Sequence, residues 1–95
     1  MSGQGENLFK ALADTQRRKI LGMLRHAEMP AGEIAQSLGL TAATVSHHLS
    51  KLKAANLVRI RREGQQRIYA LNLSVVEEAL VLINRLLHSE EGSSR

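Results

Sequence analysis

The spacing of hydrophobic positions along this 95-residue chain changes character twice, and each change marks an element. Leu8, Phe9 and Leu12 predict a first short helix, after a polar, Gly-rich stretch 1–6 that reads as a frayed tail. Asp14 is a strong N-cap for a second helix running to about Arg25, with Ile20, Leu21 and Leu24 on its inner face. Met29-Pro30 breaks the chain, and residues 31–38 form a third helix carrying Ile34, Ala35 and Leu38. Gly39-Leu40 turns tightly into Thr41, which caps a fourth helix through Ala54 with Val45, Leu49 and Leu52 on one face. Two helices joined across so short a Gly-containing turn form a helix-turn-helix unit.

From Leu57 the period shortens to two. Val58 and Ile60 alternate with Arg59 and Arg61, and Ile68 alternates with Arg67 and Tyr69. The intervening Arg62-Glu63-Gly64-Gln65-Gln66 predicts a polar hairpin tip, hence a wing. Helical spacing returns at Ser74-Val75-Val76-Glu77, which reads as a capping box. The helix it opens has two apolar stripes, Val76, Leu80, Ile83, Leu87 and Val75, Ala79, Leu82, Leu86. One stripe can cover the domain's own core, and the other predicts contact with the same helix of a second copy. The expected fold is mainly α: a winged helix-turn-helix of four helices, two strands and a last helix, spanning 7–88 and forming a homodimer, with a polar tail at 89–95. The expected dimer contacts are Leu8, Phe9, Val75, Ala79, Leu82 and Leu86.

Charge then changes the picture. The net charge is +4, but it is unevenly spread. Residues 41–71 carry Lys51, Lys53, Arg59, Arg61, Arg62 and Arg67 against Glu63 alone, whereas Glu77, Glu78, Glu90 and Glu91 make the end acidic. The fourth helix holds no carboxylate, so its outward face can approach phosphates without repulsion. Arg17, Arg18 and Lys19 crowd the first turn of the second helix, where the macrodipole disfavours cations, and this predicts an acidic partner such as Asp14 or a phosphate.

With no Cys, disulfides, thiolate metal sites and cysteine catalysis are excluded. Ser46 and His47 are neighbours on a helix and diverge, so they make no catalytic pair. His47 and His48 point about 100° apart and are a poor chelate. No enzyme, cofactor or metal site is expected. A single Tyr and a single Phe leave no stacking platform for single-stranded nucleic acid. A winged-helix module for protein contacts alone would carry carboxylates on the fourth helix and no basic wing. The longest apolar run, Ala79 to Ile83, is far short of the roughly 20 residues that span a bilayer, and the start lacks the pattern of a signal peptide, so a cytoplasmic protein is expected.

Phe9-Lys10-Ala11-Leu12-Ala13-Asp14, Arg17 to Leu21, Ala31 to Ala35, Val45 to Lys53, Leu57-Val58 and Gly64 to Asn72 together resemble the ArsR family of bacterial winged-helix repressors, over roughly residues 8–88. Within it the chain looks like the small Sdp-type autorepressors that lack metal ligands. The resemblance implies a homodimer that occupies an inverted-repeat operator in double-stranded DNA and leaves on a signal. It places recognition contacts on Ala42, Ala43, Ser46 and His47, and the fourth helix extends the expected set to Thr41, Thr44, Ser50 and Lys51. The wing adds Arg62, Gln65 and Arg67. The ligand positions of the family's metal sensors fall on Leu73, Val75, Leu86 and Ser89, which are not useful ligands. Release by a protein anti-repressor or a small molecule is therefore expected, rather than by metal.

Overall fold

A computed structural model describes the backbone of residues 2–93, so Met1, Ser94 and Arg95 of the two predicted tails lie outside the described residues. The order of elements is α1 (Ser2–Leu12), α2 (Thr15–His26), β1 (Met29–Pro30), α3 (Ala31–Leu38), α4 (Ala42–Ala54), β2 (Val58–Glu63), β3 (Gln66–Leu71) and α5 (Leu73–Ser93). This is a winged helix-turn-helix. The first and last helices extend into the stretches predicted as tails, beginning at Ser2 and ending at Ser93.

Capping places the helix starts. Asp14 accepts the Gln16 and Arg17 backbone N–H groups at 2.8 and 3.1 Å, and Thr41 Oγ1 accepts the Thr44 N–H at 3.1 Å. Gly39 ends α3 at φ +67°, and the Gly39 and Leu40 N–H groups bond to the Gln36 and Ala35 carbonyls. A left-handed residue at this point costs glycine nothing and turns the chain sharply into α4. Asn56 performs the same service after α4 at φ +59°, and the Leu57 N–H returns to the Leu52 carbonyl.

The core lies where α1 to α4 meet the base of the sheet. Ile20, Ile34, Val45, Leu49, Leu52 and Leu57 are its most enclosed large side chains, each contributing ~1.5–3 kcal/mol by burial. Leu8, Ala11, Leu24, Val58 and Tyr69 close around them.

Three features depart from expectation. The sheet has three strands in the order β1-β3-β2, because Met29 and Pro30 pair with Tyr69 and Ile68. Two residues are too few to show an alternating pattern, and at a sheet edge the missing N–H of Pro30 costs no ladder bond. The expected capping box at Ser74 does not form the helix start. The Asn72 N–H is held by the Leu57 carbonyl at 2.9 Å and the Asn72 carbonyl accepts the Val76 N–H, so α5 begins at Leu73 and Ser74 falls inside its first turn. Finally, burial along α5 falls off toward its C-terminal half, which two continuous stripes do not predict. Val75, Val76 and Ala79 pack partly against the core, while Leu80, Val81, Leu82, Ile83, Leu86 and Leu87 are exposed.

Candidate nucleic-acid interface

The cap at Thr41 fixes which way α4 turns its faces. Val45, His48, Leu49 and Leu52 point into the protein. Thr41, Ala42, Ala43, Thr44, Ser46, His47, Ser50 and Lys51 are all exposed, with no acidic residue in the first turn and Lys51 and Lys53 in the last. Cations there suit the helix C-terminus. The exposed face is thus polar or methyl-bearing throughout and free of carboxylates.

Strand register sorts the arginines of the wing. Val58↔Leu71, Ile60↔Tyr69 and Arg62↔Arg67 are paired, so these six share the face that packs on the core. Beyond the core, that face leaves two guanidinium groups opposite each other, a like-charge pair that an anion between them would relieve. Arg59, Arg61 and Glu63 lie on the other face with Ile68 and Ala70. There the Arg61 guanidinium pairs with Glu28 and lies 3.4 Å from Glu63, and the hydrogen bonds it donates to those carboxylates, Glu28 foremost, hold its pKa above the usual value. Arg61, Arg62 and Arg67 are all exposed, but Arg61 is committed to carboxylates of the fold. The tip between the strands is the two-residue turn Gly64-Gln65, with Gly64 at φ +62°.

Helix and wing share one open cleft of about 740 Å³, in which Ser46 of α4 meets Gln65, Gln66 and Arg67 of the wing and Glu33 and Gln36 of α3. The tertiary structure therefore brings Ser46, Gln65 and Arg67 together. Gln36, Gln66 and Glu33 were not expected there. An eight-residue helix gives its polar positions too little periodic context to single any out.

His48 is buried behind the exposed face, at 8% exposure. Its Nδ1 lies 3.4 Å from an Arg17 guanidinium nitrogen and 3.9 Å from Asp14 Oδ1. The same region accounts for two of the three cations in the first turn of α2. Arg17 donates to the Ala11 and Lys10 carbonyls at 2.9 Å each, and Arg18 donates to the Leu12 carbonyl at 2.7 Å. The expected partner was Asp14 or a phosphate. Asp14 stands close by, and the end of α1 supplies the guanidinium groups with their hydrogen-bond acceptors through its last carbonyls, that of Lys10 also taking the Ala13 N–H. Asp14 is held below the ordinary carboxylate pKa, chiefly by the Arg17 N–H, against an opposing desolvation, and further by the Gln16 N–H and the charge of Arg17.

Of the expected dimer residues, Leu8 is buried in the core of the protomer itself, and Val75 and Ala79 are partly buried. Phe9 is 47% exposed, and Leu82 and Leu86 are exposed on α5. An apolar groove of about 290 Å³ runs between α1, α2 and α5, lined by Leu8, Leu12, Leu21, Val76, Leu80 and Ile83 among others.

The chain is 40% identical over 74 residues to the transcriptional repressor SdpR of Bacillus subtilis, covering 78% of this chain and 82% of that protein. It belongs to the ArsR family. The profile of the bacterial regulatory protein, arsR family, matches residues 14–59, from the cap of α2 to the start of the wing. A further relative, the transcriptional activator HlyU of Vibrio cholerae, is 37% identical over 79 residues, 83% of this chain and 73% of its own. The structure of HlyU superposes with a TM-score of 0.73 at 35% identity, covering 90% of this chain and 92% of HlyU. A homodimeric winged helix-turn-helix DNA-binding domain from Mycobacterium bovis superposes with a TM-score of 0.74 at 34% identity, covering 93% and 83%. This ArsR-family chain is accordingly a transcriptional regulator with a DNA-binding helix-turn-helix, and not an enzyme. Among the described residues, no helix is long and apolar enough to cross a membrane.

Proposed function

We propose that the chain is a homodimeric repressor that reads an inverted-repeat operator by seating two copies of α4 in successive major grooves about 34–36 Å apart. The observation that carries this reading is one open cleft in which Ser46 of the carboxylate-free α4 and Gln65 and Arg67 of the wing lie together, with Arg62 opposite Arg67 on the strand beside it. In it Ser46 and His47 contact base edges, and the methyls of Ala42 and Ala43 meet thymine methyls. Thr41, Thr44, Ser50 and Lys51 serve the flanking backbone, and Arg62, Gln65 and Arg67 grip phosphates or a minor groove beyond it. The dimer is supported by the exposed apolar length of α5 and by Phe9, which in a lone protomer leave a large apolar surface in water. The printed name of SdpR supports repression, and the homodimeric Mycobacterium bovis domain supports the assembly.

Leu73, Val75 and Leu86 stand where the family's metal sensors place ligands, and none has a ligating atom. Release is accordingly assigned to a small molecule or a protein anti-repressor, and action in the cytoplasm follows from the DNA target. Selection from a random duplex library, followed by footprinting on the DNA upstream of the chain's own gene, tests the whole reading. An enriched two-fold-symmetric site, protected on both half-sites, is expected, and its presence upstream would make the protein an autorepressor. Binding as a monomer, or equal binding to every duplex at moderate salt, would overturn the reading.

A further inference from the structure

The Arg17 guanidinium is a junction between three elements, and the DNA-binding reading assigns it no task. From α2 it spans to the last carbonyls of α1, with Nε on Ala11 and a terminal nitrogen on Lys10, both at 2.9 Å. Its other terminal nitrogen faces His48 Nδ1 on α4 at 3.4 Å. A guanidinium can only donate, so Nδ1 is the acceptor in this contact. The group is planar and rigid, and its donors leave in fixed directions. Movement of α4 against the end of α1 therefore breaks at least one of the three bonds. His48 stands directly behind the reading face, one residue after His47, and is with Tyr69 one of two buried side chains bearing a polar group among the described residues. Apolar packing by Val45, Leu49 and Leu52 holds α4 down but tolerates sliding, whereas the polar contact at His48 constrains its rotation and register.

We infer that Arg17 and His48 are positioning residues for operator recognition: through them the pose of α4 is tied to the junction of α1 and α2. The inference rests on α4 being the helix that reads DNA. The carbonyls that Arg17 ties down directly follow Phe9, the exposed aromatic of α1, so whatever occupies that side of the molecule bears on the pose of the recognition helix.

Two substitutions at His48 separate positioning from packing. His48→Leu fills the site without an acceptor, and Arg17 keeps both carbonyl partners, so the fold survives. His48→Asn returns an acceptor close to the place of Nδ1. Both are measured with the full chain against the duplex that the wild type enriches from a random library, against one unselected duplex, and by thermal unfolding. His48→Leu is expected to weaken the selected duplex by about three- to tenfold while leaving the unselected duplex unchanged. His48→Asn is expected to recover most of that loss. The inference is overturned if His48→Leu binds the selected duplex like the wild type, if it weakens both duplexes equally, or if His48→Asn is as weak as His48→Leu. Failure of the wild type to enrich any sequence is a different result. It removes the recognition reading itself, and the positioning role with it.

Discussion

His47 carries the heaviest share of polar reading at the scale of single residues. Ala42 and Ala43 offer only methyls, and Thr41 and Thr44 are engaged with each other in the cap, with Thr41 Oγ1 donating to Thr44 Oγ1 at 2.9 Å. His47→Ala should cost ~1–3 kcal/mol on the selected operator and little on unselected DNA, as titrations on the two duplexes would report. An equal loss on both would reassign His47 to the DNA backbone. Arg67 belongs to the other kind of contact. It faces Arg62 across the wing without a carboxylate partner on that face and lines the cleft, so Arg67→Ala should weaken all duplexes alike. The slope of log affinity against log salt should flatten by about one unit. An unchanged slope would make Arg67 structural. Arg61 shows why composition alone misleads: it is as basic as Arg67, but Glu28 and Glu63 already hold it.

The most acid-sensitive boundary at the element scale is the start of α2. Asp14 accepts two backbone N–H groups there, and its folded pKa lies below the ordinary carboxylate value. The unfolded chain takes up the proton first as pH falls, so the cap stabilises the fold at neutral pH and this contribution is lost as pH drops through the depressed folded value. Asp14→Asn keeps an acceptor oxygen but cannot titrate. Thermal unfolding of the wild type should fall more steeply than that of Asp14→Asn below about pH 4, near the unperturbed carboxylate value. Parallel curves would mean that other carboxylates dominate acid unfolding. Most element boundaries were legible in the chain itself. Asp14 and Thr41 announce their helices by cap chemistry, and Gly39 and Gly64 sit where the backbone turns left-handed. The start of α5 was not legible, because it depends on the Leu57 carbonyl holding Asn72, a contact across fifteen residues. Strand β1 was not either, since two residues acquire their strand character only from Tyr69 and Ile68 beside them.

The unfinished part of the whole molecule is α5. Six large apolar side chains between Leu80 and Leu87 are exposed beside an apolar groove, and burying even half of such a surface contributes several kcal/mol at about 25 cal/mol per Å². Leu82→Glu places a charge in that surface without touching the core. Dimerisation in sedimentation and binding to the inverted repeat should fall together, while the protomer stays folded by circular dichroism. A variant that remains dimeric would put the interface elsewhere. Leu8 marks the limit of reading such a surface from periodicity. It lies next to Phe9 in the chain, yet one turns into the core and the other into solvent.

The helix-turn-helix, its wing and the carboxylate-free face of α4 are written into the chain, because caps, turn glycines and hydrophobic period are local properties that short stretches carry unaided. Which arginines are available and which are committed emerges with folding. Arg67 lines the cleft beside Ser46 with Arg62 opposite it on the wing, Arg61 is turned to Glu28, and Arg17 is spent on the end of α1 and on His48. Strand register and helix packing set those partners across tens of residues, and a charge in a sequence does not record which neighbour it will meet.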